Sequence, residues 1–140
     1  MQVKGLDDYI IRVIKLADPK KAEGYIKMAV YEGAGIVADE VRRNLERHRD
    51  TGDLLDSLYL STMENDNGYI YTQVGFAGYD RDGVPNAVKA NALESGTSRN
   101  GAEYQPKTPF IRPAVKRTTE QAVAAMAASL DSNIKKIMGD

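Results

Sequence analysis

Apolar positions recur along this chain with two different periods, and those periods predict its elements. Leu6, Tyr9, Ile10, Val13, Ile14 and Ala17 fall at helical spacing. They predict a short amphipathic helix over about residues 6–17, stopped by Asp18-Pro19. Ala22, Tyr25, Ile26, Ala29, Val30, Gly33, Ile36, Val37, Val41 and Leu45 form one longer stripe. It predicts a helix from about Lys20 to Arg47, roughly 40 Å long at 1.5 Å per residue. That is more apolar stripe than a small domain covers, so part of it is expected to pack on something outside the chain. Gly24, Gly33 and Gly35 weaken the helix and invite close approach of another backbone.

The period then changes. Leu58, Leu60 and Thr62 alternate with Tyr59, Ser61 and Met63, which predicts a strand. Asn65-Asp66-Asn67-Gly68 is a hairpin signal, because Asn and Gly tolerate the positive φ of tight hairpin turns. Tyr69–Phe76 is the expected return strand. Two strands alone are marginal in water, so a third strand, or helices across one face, is expected to complete the sheet. Asn86–Glu94 reads as a short helix ending at Gly96, and Ser98–Lys107 as a polar, mobile loop. Thr108-Pro109 reads as a helix start, with Thr as cap and Pro in the first turn. Val115, Thr119, Ala122, Met126, Leu130, Ile134 and Ile137 carry that last helix onward. The expected fold is α+β. N-terminal helices, including one long helix, precede a small antiparallel hairpin-based sheet, with the C-terminal helix packed on it. Length favours one domain over 1–140.

Composition narrows the chemistry. The 140 residues include no Cys and no Trp, one His, and a formal net charge of -1. Without Cys there are no disulfides, zinc ribbons or thiolate nucleophiles. No signal-peptide run or membrane-length apolar window is found. Charge is unevenly distributed. Residues 51–83 hold six acids (Asp53, Asp56, Glu64, Asp66, Asp80, Asp82) against Arg81, and the stretch from Val84 onward is net basic. The two regions are either complementary surfaces that one copy of the chain can offer another, or an ordinary solvated acidic face beside a basic one.

Gly33-Ala34-Gly35 fits a relaxed dinucleotide fingerprint but lies inside a helical pattern, with no strand before it. His48-Arg49-Asp50 lacks the Asn that a kinase catalytic loop needs, since Leu55 stands there. Asp80-Arg81-Asp82-Gly83 and Asn65-Asp66-Asn67-Gly68 are explained as turns, because neither has the Gly and Glu spacing of a calcium loop. The expectation is therefore no catalytic residues, no cofactor and no metal. Arg42, Arg43, Arg47 and Arg49 form a basic helix end that suits the negative end of the helix dipole. It is also an alternative DNA-contacting surface, weakened by Glu40, Glu46 and Asp50 among the arginines.

Three segments in order resemble a known family: Thr51-Gly52-x-Leu54, Glu94-x-Gly96-Thr97-Ser98, and Pro109-Phe110-x-Arg112-Pro113-Ala114. Together with the terminal helix, they resemble the small head–tail joining or tail-completion proteins of long-tailed bacteriophages and prophages. The loop from Ser98 to Pro109 is longer than that family's compact version, and Ser95 stands where an aromatic is common. The resemblance implies a structural virion protein with no enzymatic activity, located at the head–tail junction or tail and in the host cytoplasm during assembly. It implies a ring of copies, forming on assembly. The ring would touch tail-tube or tail-terminator proteins on one side and connector or portal proteins on the other. DNA would pass through the lumen without sequence-specific binding, and no membrane is involved; that the lumen is acidic is a separate expectation resting on the acids of residues 51–83. The structural or interface residues it points to are Glu94, Gly96, Thr97, Arg99, Pro109, Phe110, Arg112 and Pro113. Gly96 is expected in a conformation forbidden to side chains, Thr97 in a local hydrogen bond, and Phe110 as a buried anchor. Arg112 either pairs with Glu94 to pin the loop ends or is a plain surface residue.

Overall fold

The computed structural model describes residues 19–47, 52–99 and 101–137. The helix expected over 6–17, and Asp18, His48, Arg49, Asp50 and Thr51, lie outside the described residues. Among the described residues, four helices and six strands follow in order. They are α1 (Pro19–Glu46), α2 (Asp53–Asp56), β1 (Leu58–Leu60), β2 (Glu64–Asp66), β3 (Tyr69–Tyr71) and β4 (Val74–Phe76). Next come α3 (Asn86–Ser95), β5 (Thr97–Arg99), β6 (Ala102–Gln105) and α4 (Ile111–Ile137). The fold is α+β: a long helix, small antiparallel hairpins, and a long last helix.

The chain divides into two compact units. One comprises Met1–Ile36, Thr62–Thr72 and Glu120–Asp140; the other comprises Val37–Ser61 and Gln73–Thr119. In the first, Ala22, Ala29 and Gly33 are buried on α1, and Ala122, Ser129, Leu130 and Asn133 on α4. Gly33 is where the helices need a missing side chain. A Cβ there would sit 2.7 Å from the Met126 Cγ and 3.3 Å from the Ala122 carbonyl oxygen. At Gly24 and Gly35 a Cβ would meet nothing within 4 Å among the described residues, so there the close approach expected of all three glycines occurs at one. The β2–β3 hairpin of this unit turns through Asn67 and Gly68 at φ 52° and 93°, and the Asn65 side chain accepts the Gly68 N–H at 2.8 Å. Both central residues have positive φ, as the sequence demands of a tight hairpin turn.

The second unit holds a core of Val41, Leu45, Leu58, Ala90, Phe110 and Ala114. Val37, Leu54, Leu55, Val74, Phe76, Leu93 and Ile111 pack around it. Its β1–β4 ladder pairs Leu58 with Phe76 and Leu60 with Val74.

Of the two expected ways to complete a sheet, helices are the one found: each ladder among the described residues is two-stranded, and Phe110 and the α1 side chains of the core cover the β1–β4 ladder. Other expectations are corrected. The two expected long strands each break. The Ser61 hydroxyl takes the Gln73 N–H at 2.8 Å, a backbone donor that a continuous ladder would use. Residues 98–107 are not a featureless loop: β5 and β6 form a hairpin turned at Gly101, φ 79°, with a register shift between Thr97 and Ser98. Its sequence carries no apolar alternation, so the period-2 signal was absent. The last helix starts at Ile111 rather than at Thr108-Pro109. Its buried line begins at Ala114 and Thr118, leaving Val115 42% exposed.

Candidate functional site

The site is built by α3 and the start of α4. Gly96 ends α3: its N–H donates to the Ala92 carbonyl at 2.8 Å, and its backbone turns to φ 73°, ψ 176°. That region is essentially restricted to glycine. The chain then leaves through the β5–β6 hairpin and comes back to the place it left, where the Thr108 N–H donates to the Leu93 carbonyl at 2.7 Å. Glu94, one residue on from Leu93, is thereby brought against the first turn of α4.

Glu94 is 8% exposed, and its carboxylate is fully engaged. Oε2 accepts the N–H of Phe110 at 2.7 Å and of Ile111 at 2.8 Å, and Oε1 accepts the N–H of Arg112 at 2.9 Å. A helix start leaves four N–H groups without partners inside the helix. Here three go to one carboxylate, and the fourth position is Pro113, which has no N–H. The negative charge also lies at the positive end of the α4 dipole. Burial by itself raises the Glu94 pKa, but the three backbone N–H groups and the nearby Arg112 outweigh it, and the pKa is lowered.

The cap therefore comes from sixteen residues upstream of Phe110, not from Thr108. This also decides how Glu94 and Arg112 interact. The Arg112 Nε does pair with Oε1, at 3.9 Å, but its side chain is 71% exposed, so the backbone donors do most of the pinning and the ion pair adds little.

Phe110 anchors the same corner. It is 0% exposed and meets Phe76 of β4 edge-on, with ring centroids 5.9 Å apart. Its carbonyl accepts the Asn44 side-chain N–H at 3.1 Å. Asn44 was missed by the sequence reading. The available signal was a polar residue between Val41 and Leu45 on an otherwise apolar face. Glu40, read from the sequence only as an acid among the arginines, is buried. It is 4% exposed and meets Arg43 at 2.7 Å and Arg117 of α4 at 3.5 Å.

The remaining candidates are placed as follows. Pro109 is exposed and precedes Phe110, and Pro113 is exposed in the first turn of α4. Thr97 makes no local hydrogen bond: its Oγ1 is buried without a partner among the described residues. Arg99 lies on β5, opposite Ala102 in the register. In the alternative basic group, Arg42 pairs with Asp39 at 3.3 Å and Arg43 with the buried Glu40, while Arg47 is exposed beyond α1. Arg49 lies outside the described residues.

The two turn sequences behave as turns. In the second, one Asp80 oxygen accepts the N–H groups of Asp82 and Val84 at 2.9 and 2.8 Å. The Val84 N–H is the chief cause of its lowered pKa. Lys89 of α3 holds the other Asp80 oxygen at 3.1 Å, and Arg81 holds both oxygens of Asp53 at 2.9 Å. Among the described residues, no group of His, Cys, Asp or Glu could hold a metal ion, and no helix is long and apolar enough to cross a membrane. No family model, curated protein or solved structure matches this chain.

A carboxylate that accepts three backbone N–H groups has little capacity left for proton transfer. Chemically the site is a clamp. It holds two chain segments, and the hairpin between them, in one fixed arrangement.

Proposed function

We propose that this chain is a non-enzymatic structural protein of the head–tail junction of a tailed bacteriophage or prophage, acting in joining or tail completion by assembly of copies between the connector and the tail tube. The observation that carries the reading is the Glu94 clamp. The two signature motifs, Glu94-x-Gly96-Thr97 and Pro109-Phe110-x-Arg112-Pro113, are halves of one structural device. Gly96 releases the chain, Glu94 receives it again, and Phe110 and Pro113 fit the return into the core and the helix start. Motifs that serve the fold in this way suit an assembly protein better than an enzyme.

The alternative of DNA contact through α1 is weakened because Arg42 and Arg43 pair with Asp39 and Glu40 on the same helix.

The test is genetic and microscopic. Removal of the gene from a phage or prophage that encodes it is expected to leave filled heads and tails that do not join, and supplying the protein in trans is expected to restore whole particles. Normal virions in its absence would refute the proposal.

A further inference from the structure

Two exposed patches in the Val37–Ser61 and Gln73–Thr119 unit have opposite charge and share an apolar centre. The first surrounds the N-terminal end of α3. Tyr79, Val84 and Val88 are 72%, 40% and 58% exposed there. A Tyr79–Pro85 bridge and the Asn86 N–H to the Gly78 carbonyl hold them together. Beside them is an open depression of about 590 Å³ lined by Asp53, Asp56, Ser57, Tyr79, Asp80 and Arg81. Arg81 and Lys89 neutralise Asp53 and Asp80. Asp56 and Asp82 are exposed, with no cation on either among the described residues. The second patch is the outward face of the first turns of α4. Arg112, Val115 and Lys116 lie at i, i+3 and i+4, opposite the buried Ala114 and Thr118. Val115 is 42% exposed, and no acid among the described residues holds Lys116.

The patches lie at opposite ends of α3. Asn86 begins that helix beside the acidic patch, and Glu94, near its end, holds the start of α4. Ten residues of helix span about 15 Å, and among the described residues no ion pair joins Asp56 or Asp82 to Arg112 or Lys116 within one copy. Two different, complementary patches on one body give a heterologous contact, which propagates from copy to copy rather than closing as a two-fold dimer.

We infer that the patch of Tyr79, Asp82, Val84 and Val88 on one copy docks onto Arg112, Val115 and Lys116 of α4 on the next copy, with a basic side chain of α4 entering the depression beside Asp56. This rests on the assembly function proposed above and supplies its copy-to-copy surface. It also gives the Glu94 clamp a second role, since the clamp fixes the angle at which α4 presents its basic face.

Because the chain has no cysteine, engineered thiols report the contact cleanly. Val88→Cys and Val115→Cys proteins, mixed and oxidised, are expected to cross-link at least about fivefold faster than either protein alone, and faster at low than at high salt. A chain carrying both substitutions is expected to give a ladder of oligomers. Adding Asp82→Lys to the Val88→Cys protein is expected to slow the mixed reaction several-fold. Adding Lys116→Asp to its Val115→Cys partner is expected to restore it, a recovery possible only across the interface. The inference is overturned if mixed cross-linking is no faster than that of an exposed Ser132→Cys control, if Val88→Cys pairs with itself as readily, or if the second charge change restores nothing. Any of these outcomes would leave the junction function standing, because the gene-removal experiment decides that separately.

Discussion

Replacing Glu94 tests the central physical claim, that a distant carboxylate starts the last helix. Glu94→Ala strips three N–H groups of their acceptor, and Phe110, which carries one of them, is 0% exposed. An ordinary helix cap is worth about 0.5–2 kcal/mol, and each buried donor left without a partner costs about 1–3 kcal/mol. Water can reach the Ile111 and Arg112 donors once the side chain is gone, so the net cost is about 2–4 kcal/mol. For a chain of this size that lowers Tm by roughly 7–14 °C. Glu94→Gln keeps one oxygen for two of the donors and turns an NH₂ group toward the third, so it costs about 1–2 kcal/mol. Arg112→Ala costs under about 0.5 kcal/mol, because its side chain is mostly in water and 3.9 Å from the carboxylate.

Urea unfolding of the three variants between pH 3 and 8 measures all of this. The sign of the pH effect follows from the lowered pKa of Glu94 in the folded state. The charged carboxylate contributes its full stability above its unfolded pKa, about 4.3, and loses it as pH falls through the lower folded value. The gap between the wild-type protein and Glu94→Gln is therefore expected to narrow below about pH 4. The reasoning is refuted if Arg112→Ala costs as much as Glu94→Gln. It is also refuted if exchanging the two charges, Glu94→Arg with Arg112→Glu, restores wild-type stability, since the backbone donors would then not be what Glu94 serves.

Three further outcomes follow from local geometry. Gly96→Ala forces a side chain into φ 73°, ψ 176° and is expected to cost about 1–3 kcal/mol in a thermal melt. Gly24→Ala and Gly35→Ala place a methyl group where nothing lies within 4 Å, so each is expected to stabilise by about 0.5–1 kcal/mol through helix propensity; destabilisation would show that a partner covers that face. Phe110→Ala empties a fully buried site against Phe76 and is expected to cost about 3–5 kcal/mol, read as a lower urea midpoint.

Local signals carried much of the fold. The long stripe from Ala22 to Leu45 set α1 within a residue or two, because a 3.6-residue period over many turns leaves little alternative. Asn67-Gly68 fixed its hairpin turn through backbone conformation alone, and Gly96 fixed the end of α3 in the same way. Phe110 was legible as an anchor because Phe is so scarce in this chain. Where the reading failed, the deciding group lay far away in sequence. Thr108-Pro109 has the right residues for a helix start, yet Glu94 caps the helix two residues later, and no local pattern says so. The β5–β6 hairpin has no apolar period of its own. It is defined by ends that Gly96 and the Thr108–Leu93 hydrogen bond hold together. Val115 and Ala114 are both apolar and adjacent, so only packing decided which one faces the core.

The sequence by itself determined the long helical stripes and the turns at Asn67-Gly68 and Gly96, since those preferences are set by each residue and its near neighbours. Only the tertiary structure decided where the carboxylate of Glu94 goes, because a hydrogen bond to Phe110, Ile111 and Arg112 depends on the path of the chain between them and not on any period within it.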